Sequence, residues 1–415
     1  MSGPGSILVQ KYGGTSVGDL ERIAKVAMRI ARARQAGQRV AVIVSAMGHT
    51  TDELIAEAKR VTPRPSAREL DMLLMTGEQV SMSLLTMKLH QLGVPARSFT
   101  GWQAGIVTDD RFGGARITEV QPARLSETLE RNEVAVVAGF QGSTPDGELT
   151  TLGRGGSDTT AVAIAAALRA ATCEIYTDTE GVYTTDPHLI PEARKLDRIS
   201  YDEMLELASL GAQVLHPRSV WYARYYGVTL HVRSSFSYNS GTLVSEVGMK
   251  TSNPVTGVAL DRGFARIGLI GVPDRPGIAA TVFEALGSAG VSVDMIIQGV
   301  PGHEPSRQQM AFTVSTDALQ DTLEVLDRLL VEFGGEVVAS TDIVKVSVVG
   351  IAVGSTPGVA GRMFAAVSRT GANIEMISTS EVRVSVVIPA SFAEAAVRGI
   401  HKEFRLDEPP SGVAF

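Results

Sequence analysis

Two hydrophobic patterns take turns along roughly the first 240 residues. Apolar runs with little polar interruption occupy Ile7–Gln10, Val40–Ser45, Glu133–Phe140 and Thr172–Tyr176. Between them lie longer stretches, such as Asp19–Gln35, in which apolar residues return every three or four positions. Successive strand side chains point to opposite faces, so a strand apolar at consecutive positions is covered on both. The longer stretches carry the period of a helix with one buried stripe. Strand and helix in alternation predict an α/β domain, a mostly parallel sheet between helical layers. An alanine-rich helix is expected over Thr159–Ala171, and the polar, Pro-containing stretch Ser245–Pro254 ends the pattern as a linker.

Past that linker the pattern repeats itself. Val272–Ile296 and Val353–Ile377 align without a gap at an offset of 81 residues, with nine of 25 positions identical. Each copy predicts a strand end, a Pro-Gly turn, an amphipathic helix, a Gly stop and a second strand. Two small α+β modules of about 70 residues each therefore follow a separate upstream domain. Their open sheet edges need cover, which predicts pairing of the modules.

Bulk properties narrow the function. At 415 residues the chain exceeds one ordinary core, and a net charge of −7 supplies no basic field for nucleic acid. No apolar segment reaches the ~20 residues that span a membrane. The start, MSGPGSILVQ, lacks the basic and apolar regions of a signal peptide, so a cytoplasmic protein is expected. The single cysteine, Cys173, excludes an internal disulfide and lies in an apolar run, which favours an inert buried thiol over a nucleophile.

Candidate chemistry collects where strands end. Lys11-Tyr12-Gly13-Gly14-Thr15-Ser16 leads into the first helix; it suits an anion site with Lys11 as the charge, and equally an ordinary Gly-Gly turn. Gly153-Arg154-Gly155-Gly156-Ser157-Asp158 precedes the alanine-rich helix. A cap would account for Ser157 or Asp158 alone, whereas three glycines and an arginine that can clamp a carboxylate point to a second anion site. Ser45–Asp52 also runs from strand end into helix. Glu78, in a helical pattern, is either solvated or the partner of an ammonium group. Thr177–Pro187, rich in hydroxyls and carboxylates, is either a polar loop or a nucleotide loop. Four of these five motifs fall at the carboxyl ends of strands, the edge at which open α/β sheets bind ligands.

VQKYGGTSV, SAMGHTTDEL, LLMTGEQVS, TLGRGGSDTTA and YTDTEGVYTTDP, in this order, resemble the signatures of aspartate kinases in the amino acid kinase family. The two repeats resemble the tandem ACT domains of the same enzymes, so the resemblance spans essentially the whole chain. It implies a three-layer αβα kinase fold over 1–245 and a linker and strand over 246–262 that belong to the second ACT domain. Ferredoxin-like ACT domains would follow over 263–342 and 343–407, the first inserted into the second. The implied reaction is ATP-dependent phosphorylation of the L-aspartate β-carboxylate, with Mg²⁺ carried by the nucleotide and no permanent metal site.

By the same resemblance Lys11, Gly13, Gly14, Thr15 and Ser16 hold phosphates. Thr177, Asp178, Tyr183 and Asp186 belong to the nucleotide loop. Ser45, Thr51, Glu78 and Arg154 bind aspartate, and Asp158 orients Lys11 or the helix end. Gln213 stands where the family commonly has lysine, with Lys195 and Arg218 as nearby substitutes. An effector site is implied at Asp274, Gly277, Ile278, Ala279, Asp294 and Gln298 of repeat one, facing Asn373, Ile374, Ser380 and Glu381 of repeat two. Ile377–Ile388 resembles forms inhibited by lysine and threonine together. A homo-oligomer through the ACT domains, and a shorter regulatory subunit starting near Met249, are further implications. A kinase for another amino acid such as glutamate, and an amino-acid-sensing pseudokinase, are the alternatives.

Overall fold

The computed structural model describes residues 5–211, 214–249, 253–299 and 307–409. Gln213 lies outside these residues. The chain forms two compact units: one runs to Tyr183 and resumes over Lys195–Ser209 and 214–249, the other takes Thr184–Arg194, 210–211, 253–299 and 307–409.

The first unit is built on an eight-stranded sheet. Its strand order is Arg198–Ser200, Thr242–Ser245, Leu230–Ser234, Thr172–Thr177, Ile7–Tyr12, Arg39–Val44, Val134–Ala138, Ala96–Phe99. The last six in that order are mutually parallel. Thr242–Ser245 runs antiparallel to its neighbour Leu230–Ser234 and parallel to Arg198–Ser200, so these two strands reverse direction at one edge. Helices Leu20–Gln35 and Ala67–Gln91 bury Ile23, Val26, Ile30, Met82, Leu85 and Leu89 against Tyr12, Val42, Val136 and Tyr176 of the sheet. Lys11 and Cys173 alternate with Tyr12 and Tyr176 and so point to the opposite face. There helix Gly156–Ala167 lies against the central strands, buried from Gly156 to Ala165. Cover on both faces is the reason the strands read as unbroken apolar runs.

Two boundaries differ from the sequence expectation. The first strand continues to Tyr12, which makes Lys11 a strand residue under the third layer rather than part of the turn. The alanine-rich helix begins at Gly156 and ends at Ala167, three and four residues earlier than expected. Gly155 in the left-handed conformation starts it, and Arg169, also left-handed at φ 51°, prevents its continuation. A second small sheet carries Ile117–Val120, Ile106–Thr108, Gln141–Ser143 and Leu149–Thr151 in that order.

The second unit holds two antiparallel four-stranded sheets. One is ordered Val293–Gln298, Arg307–Ser315, Phe264–Pro273, Glu336–Ser340, with helices Ile278–Ser288 and Leu319–Phe333. The other is ordered Gly257–Asp261, Ile343–Val349, Arg383–Pro389, Met376–Thr379, with helices Val359–Ser368 and Ala393–Glu403. Gly277 and Gly358, equivalent in the repeat, open the matching helices at φ 99° and 87°. Gly257–Asp261 precedes the first module in sequence yet forms an edge of the second module's sheet.

Where the modules meet, Phe264 and Met295 pack with Ile343, Met376 and Val387. Acidic residues at equivalent repeat positions reach across in both directions. Asp294 takes Lys345 Nζ at 2.6 Å, and Glu375 takes Arg266 at 2.5 Å. The arrangement is that of an approximate twofold, in which each copy offers an acid to the other's first long strand.

Candidate active site

A cavity of about 470 Å³ opens at the carboxyl ends of Ile7–Tyr12 and Arg39–Val44, next to the start of helix Gly156–Ala167. Strand Ile7–Tyr12 is flanked by Arg39–Val44 on one side and Thr172–Thr177 on the other, so the chain winds away from it in both directions. Such a switch point leaves a crevice between the loops. Lys11, Gly14, Ser45, Thr51, Glu78, Arg154 and Asp158 all line the cavity.

Lys11 Nζ lies 2.6 Å from Asp158 Oδ1, both side chains nearly buried. That oxygen makes no directed hydrogen bond, so the contact is an ion pair of poor hydrogen-bond alignment rather than a locked one. The ammonium also reaches over the glycine turn, 3.4 Å from where a Cβ on Gly13 would stand. The turn abuts the neighbouring loop through Gly48 N–H to Gly14 C=O at 3.1 Å.

Glu78 is 3% exposed. Its Oε1 accepts the Ala46 N–H at 3.1 Å, while Oε2 has no partner among the described residues. Burial raises its pKa from 4.5 to about 7, against the partial relief of the Ala46 N–H. Gly77 makes this possible, since a Cβ there would sit 2.8 Å from the Cβ of Ala46. Arg154 is exposed to the cavity and forms no ion pair or hydrogen bond among the described residues.

Gly155, at φ 69°, lies against His216: a Cβ would fall 2.1 Å from the imidazole Cγ. His216 Nδ1 in turn accepts Arg218 N–H and caps helix Pro217–Tyr226, and Arg218 donates to Leu152 C=O at 2.7 Å. His216 was not singled out from the sequence, and neither was Asp71. Asp71 is fully buried at the cavity wall and accepts hydrogen bonds from Gly113 and Thr151. Neither residue lies in a glycine-rich or strand-end motif, so the sequence carried no signal for them.

The remaining expected residues group elsewhere. Thr15 faces solvent, and Ser16 turns inward to bond Ser235 Oγ at 2.5 Å. Thr177 ends strand Thr172–Thr177 and Asp178 and Tyr183 follow it, all outside the cavity lining, with Thr177 Oγ1 donating to Asp178 at 3.1 Å. Asp186 belongs to the segment that joins the second unit, and its carboxylate accepts the His188 N–H at 2.9 Å. Thr184 of that segment bonds His401 Nε2 at 3.0 Å, and Ile190 enters the second module's core. Lys195 donates to Ser240 Oγ at 3.2 Å.

In the modules, Asp274 sits in the first Pro-Gly turn, with Gly277 capping the helix that Ile278 and Ala279 begin. Asp294 and Gln298 lie on strand Val293–Gln298. Asn373 and Ile374 precede strand Met376–Thr379, and Ser380 and Glu381 follow it in a turn whose Glu381 C=O accepts Gly354 N–H at 3.0 Å.

A cation without a counter-ion, a buried carboxylate with one idle oxygen and a strand lysine paired with Asp158 in the first turn of a helix thus share one cavity. Residues 6–234 match the amino acid kinase family, and 267–331 and 346–404 each match the ACT domain. The aspartokinase of Thermus thermophilus is 68% identical over 97% of this chain and 100% of its own. The structure of E. coli aspartokinase III with aspartate and ADP, called its R-state, superposes with a TM-score of 0.81 at 27% identity, covering 96% of this chain and 99% of that one. The same enzyme with lysine and aspartate, called its T-state, gives 0.76 at 28% identity over the same shares. With a parallel-sheet kinase domain followed by two ACT domains, and with these relatives, the chain belongs to the aspartokinases of the amino acid kinase family.

Proposed function

We propose that this cavity binds L-aspartate and that the γ-phosphoryl group of ATP passes to its β-carboxylate, giving 4-phospho-L-aspartate, the first step toward lysine, threonine and methionine. The observation that carries the proposal is the pair of unanswered charges, Glu78 and Arg154, in one cavity with Lys11. Glu78 suits the α-ammonium and Arg154 a carboxylate. The E. coli relative solved with aspartate and ADP supports the same pair of ligands.

A carboxylate oxygen is already a competent nucleophile, so no base has to remove a proton. It forms a bond to the γ-phosphorus as the bridging oxygen of the leaving ADP departs with the electron pair. Two anions must be aligned and their repulsion offset. Lys11 brings its charge over the Gly13-Gly14 turn, and the first turn of helix Gly156–Ala167 adds N–H dipoles. Asp158 holds Lys11 in reach without a directed hydrogen bond, leaving it free to follow the phosphoryl group. Thr177, Asp178 and Tyr183 would contact the nucleotide.

Mg²⁺ bound to ATP would neutralise phosphate charge. The donors present fit a nucleotide-borne ion: Asp71 is saturated by N–H and O–H donors, Asp158 is paired with Lys11, and Glu78 is anchored on Ala46. Such a set leaves coordination to phosphate oxygens and water.

For control we propose concerted inhibition by lysine and threonine bound where the two ACT domains meet. The lysine-bound T-state of the E. coli relative supports an amino-acid effector. The chain enters the second unit within the nucleotide loop, at Thr184. We place the enzyme in the cytoplasm, as an oligomer through its ACT domains, with Met249 as an internal start for a separate regulatory subunit.

The test is ATP turnover with L-aspartate or L-glutamate, trapping acyl phosphate with hydroxylamine, with and without lysine and threonine. Hydroxamate from aspartate alone, lost when both effectors are present, is expected. Equal hydroxamate from glutamate overturns the substrate assignment, and full inhibition by either effector alone overturns concerted control.

A further inference from the structure

Helix Ala67–Gln91 meets the cavity at two acids, Asp71 and Glu78, seven residues and so two turns apart on one face. Glu78 grips the Ala46 turn and leaves an oxygen for substrate. Asp71, at the cavity wall, is fully buried and has both oxygens occupied. Its Oδ1 accepts the Thr151 hydroxyl at 2.7 Å and its Oδ2 the Thr151 N–H at 2.9 Å, and the Gly113 N–H bridges both oxygens at 3.0 and 2.9 Å.

These donors come from two segments beside Arg154. Thr151 ends the strand Leu149–Thr151, and Arg154 follows three residues on. Gly113 presents its carbonyl to Gly153, where a Cβ would approach to 3.1 Å. Ala115 N–H to Thr151 C=O at 2.9 Å and Arg218 to Leu152 C=O complete the seat of the Arg154 turn.

We infer that Asp71 is a positioning residue that fixes the Arg154 turn relative to Glu78, and with it the place where the substrate's charged groups are held. Two turns of one helix carry Asp71 and Glu78, so the loop that bears Arg154 is tied to the same rigid element that bears Glu78. The inference rests on the proposal that Glu78 and Arg154 hold the substrate.

Steady-state kinetics of Asp71→Ala test it, with Arg154→Ala as a control. In Asp71→Ala the aspartate KM is expected to rise about tenfold or more, the size of effect a displaced substrate anchor produces, with ATP KM within about twofold. Asp71→Asn restores the aspartate KM, because an amide can donate to Thr151 Oγ1 while its oxygen accepts the two N–H groups. Should Asp71→Ala not fold, Thr151→Val removes one of the bonds and is expected to move the aspartate KM in the same direction by a smaller factor. A folded variant whose aspartate KM is unchanged, or whose two KM values rise together, overturns the role of Asp71. If Arg154→Ala also leaves aspartate KM unchanged, the substrate assignment itself has failed.

Discussion

Glu78 is costly as a folded residue and useful as a ligand, for the same reason. Its pKa of about 7 in the fold exceeds the usual 4.5, so folding favours the protonated form. The cost of the buried charge is fully present above pH 7 and is relieved as pH falls from about 7 toward 4.5. Glu78→Gln is therefore expected to raise stability at pH 8, by on the order of 3 kcal/mol from the size of the shift, and to leave it unchanged near pH 4.5. Denaturant titrations at both pH values check this. The same variant should raise aspartate KM and flatten its pH dependence, whereas in the wild type KM should climb as pH drops below 7 and the carboxylate that meets the ammonium is lost. That Lys11, Arg154 and Asp158 share a cavity was legible beforehand, because all three lie in or beside glycine-rich segments where strand and helix meet. Glu78 was legible only as one of two alternatives, because an isolated glutamate in a helix gives no sign of which way it faces. Asp71 gave no sign at all, since its partners, Gly113 and Thr151, come from distant turns and strand ends.

The elements divide along the same line. The central strands were readable because burial on both faces leaves unbroken apolar runs. Ile117–Val120, Gln141–Ser143 and Leu149–Thr151 were not: three or four residues, several of them Thr, Ser or Gln, carry no period to detect. Yet this small sheet delivers Thr151 to Asp71 and so shapes the cavity. The start of helix Gly156–Ala167 is the element most exposed to a single substitution. Gly155→Ala would impose a left-handed backbone on alanine and drive its methyl group into His216, beside the cap of helix Pro217–Tyr226. Gly277, left-handed too, has open space where its Cβ would go, so alanine there would meet only the backbone strain. Gly155→Ala is expected to cost more than about 2 kcal/mol in urea unfolding and Gly277→Ala about 1 kcal/mol.

The sequence repeat proved to be structural symmetry, with Asp294 and Glu375 paired across it in opposite directions. Lys345, 5% exposed, is held by Asp294 and by Asp261 at 3.3 Å, so its ammonium already occupies an acidic position that an incoming effector would contest. Lys345→Met is expected to change the lysine or threonine concentration for half-inhibition at least threefold while kcat without effectors stays the same. Inhibition curves on the full chain would show an unmoved midpoint if Lys345 plays no such part. The displaced edge strand has a consequence of its own. Asp261 and Lys345 are neighbours in an antiparallel ladder, joined not by a tight turn but by the whole first ACT domain. That domain hangs from a β-hairpin as an oversized loop. Two or three turn residues could close the gap and leave the second sheet complete, and any folded unit whose ends lie side by side could be grafted there in its place.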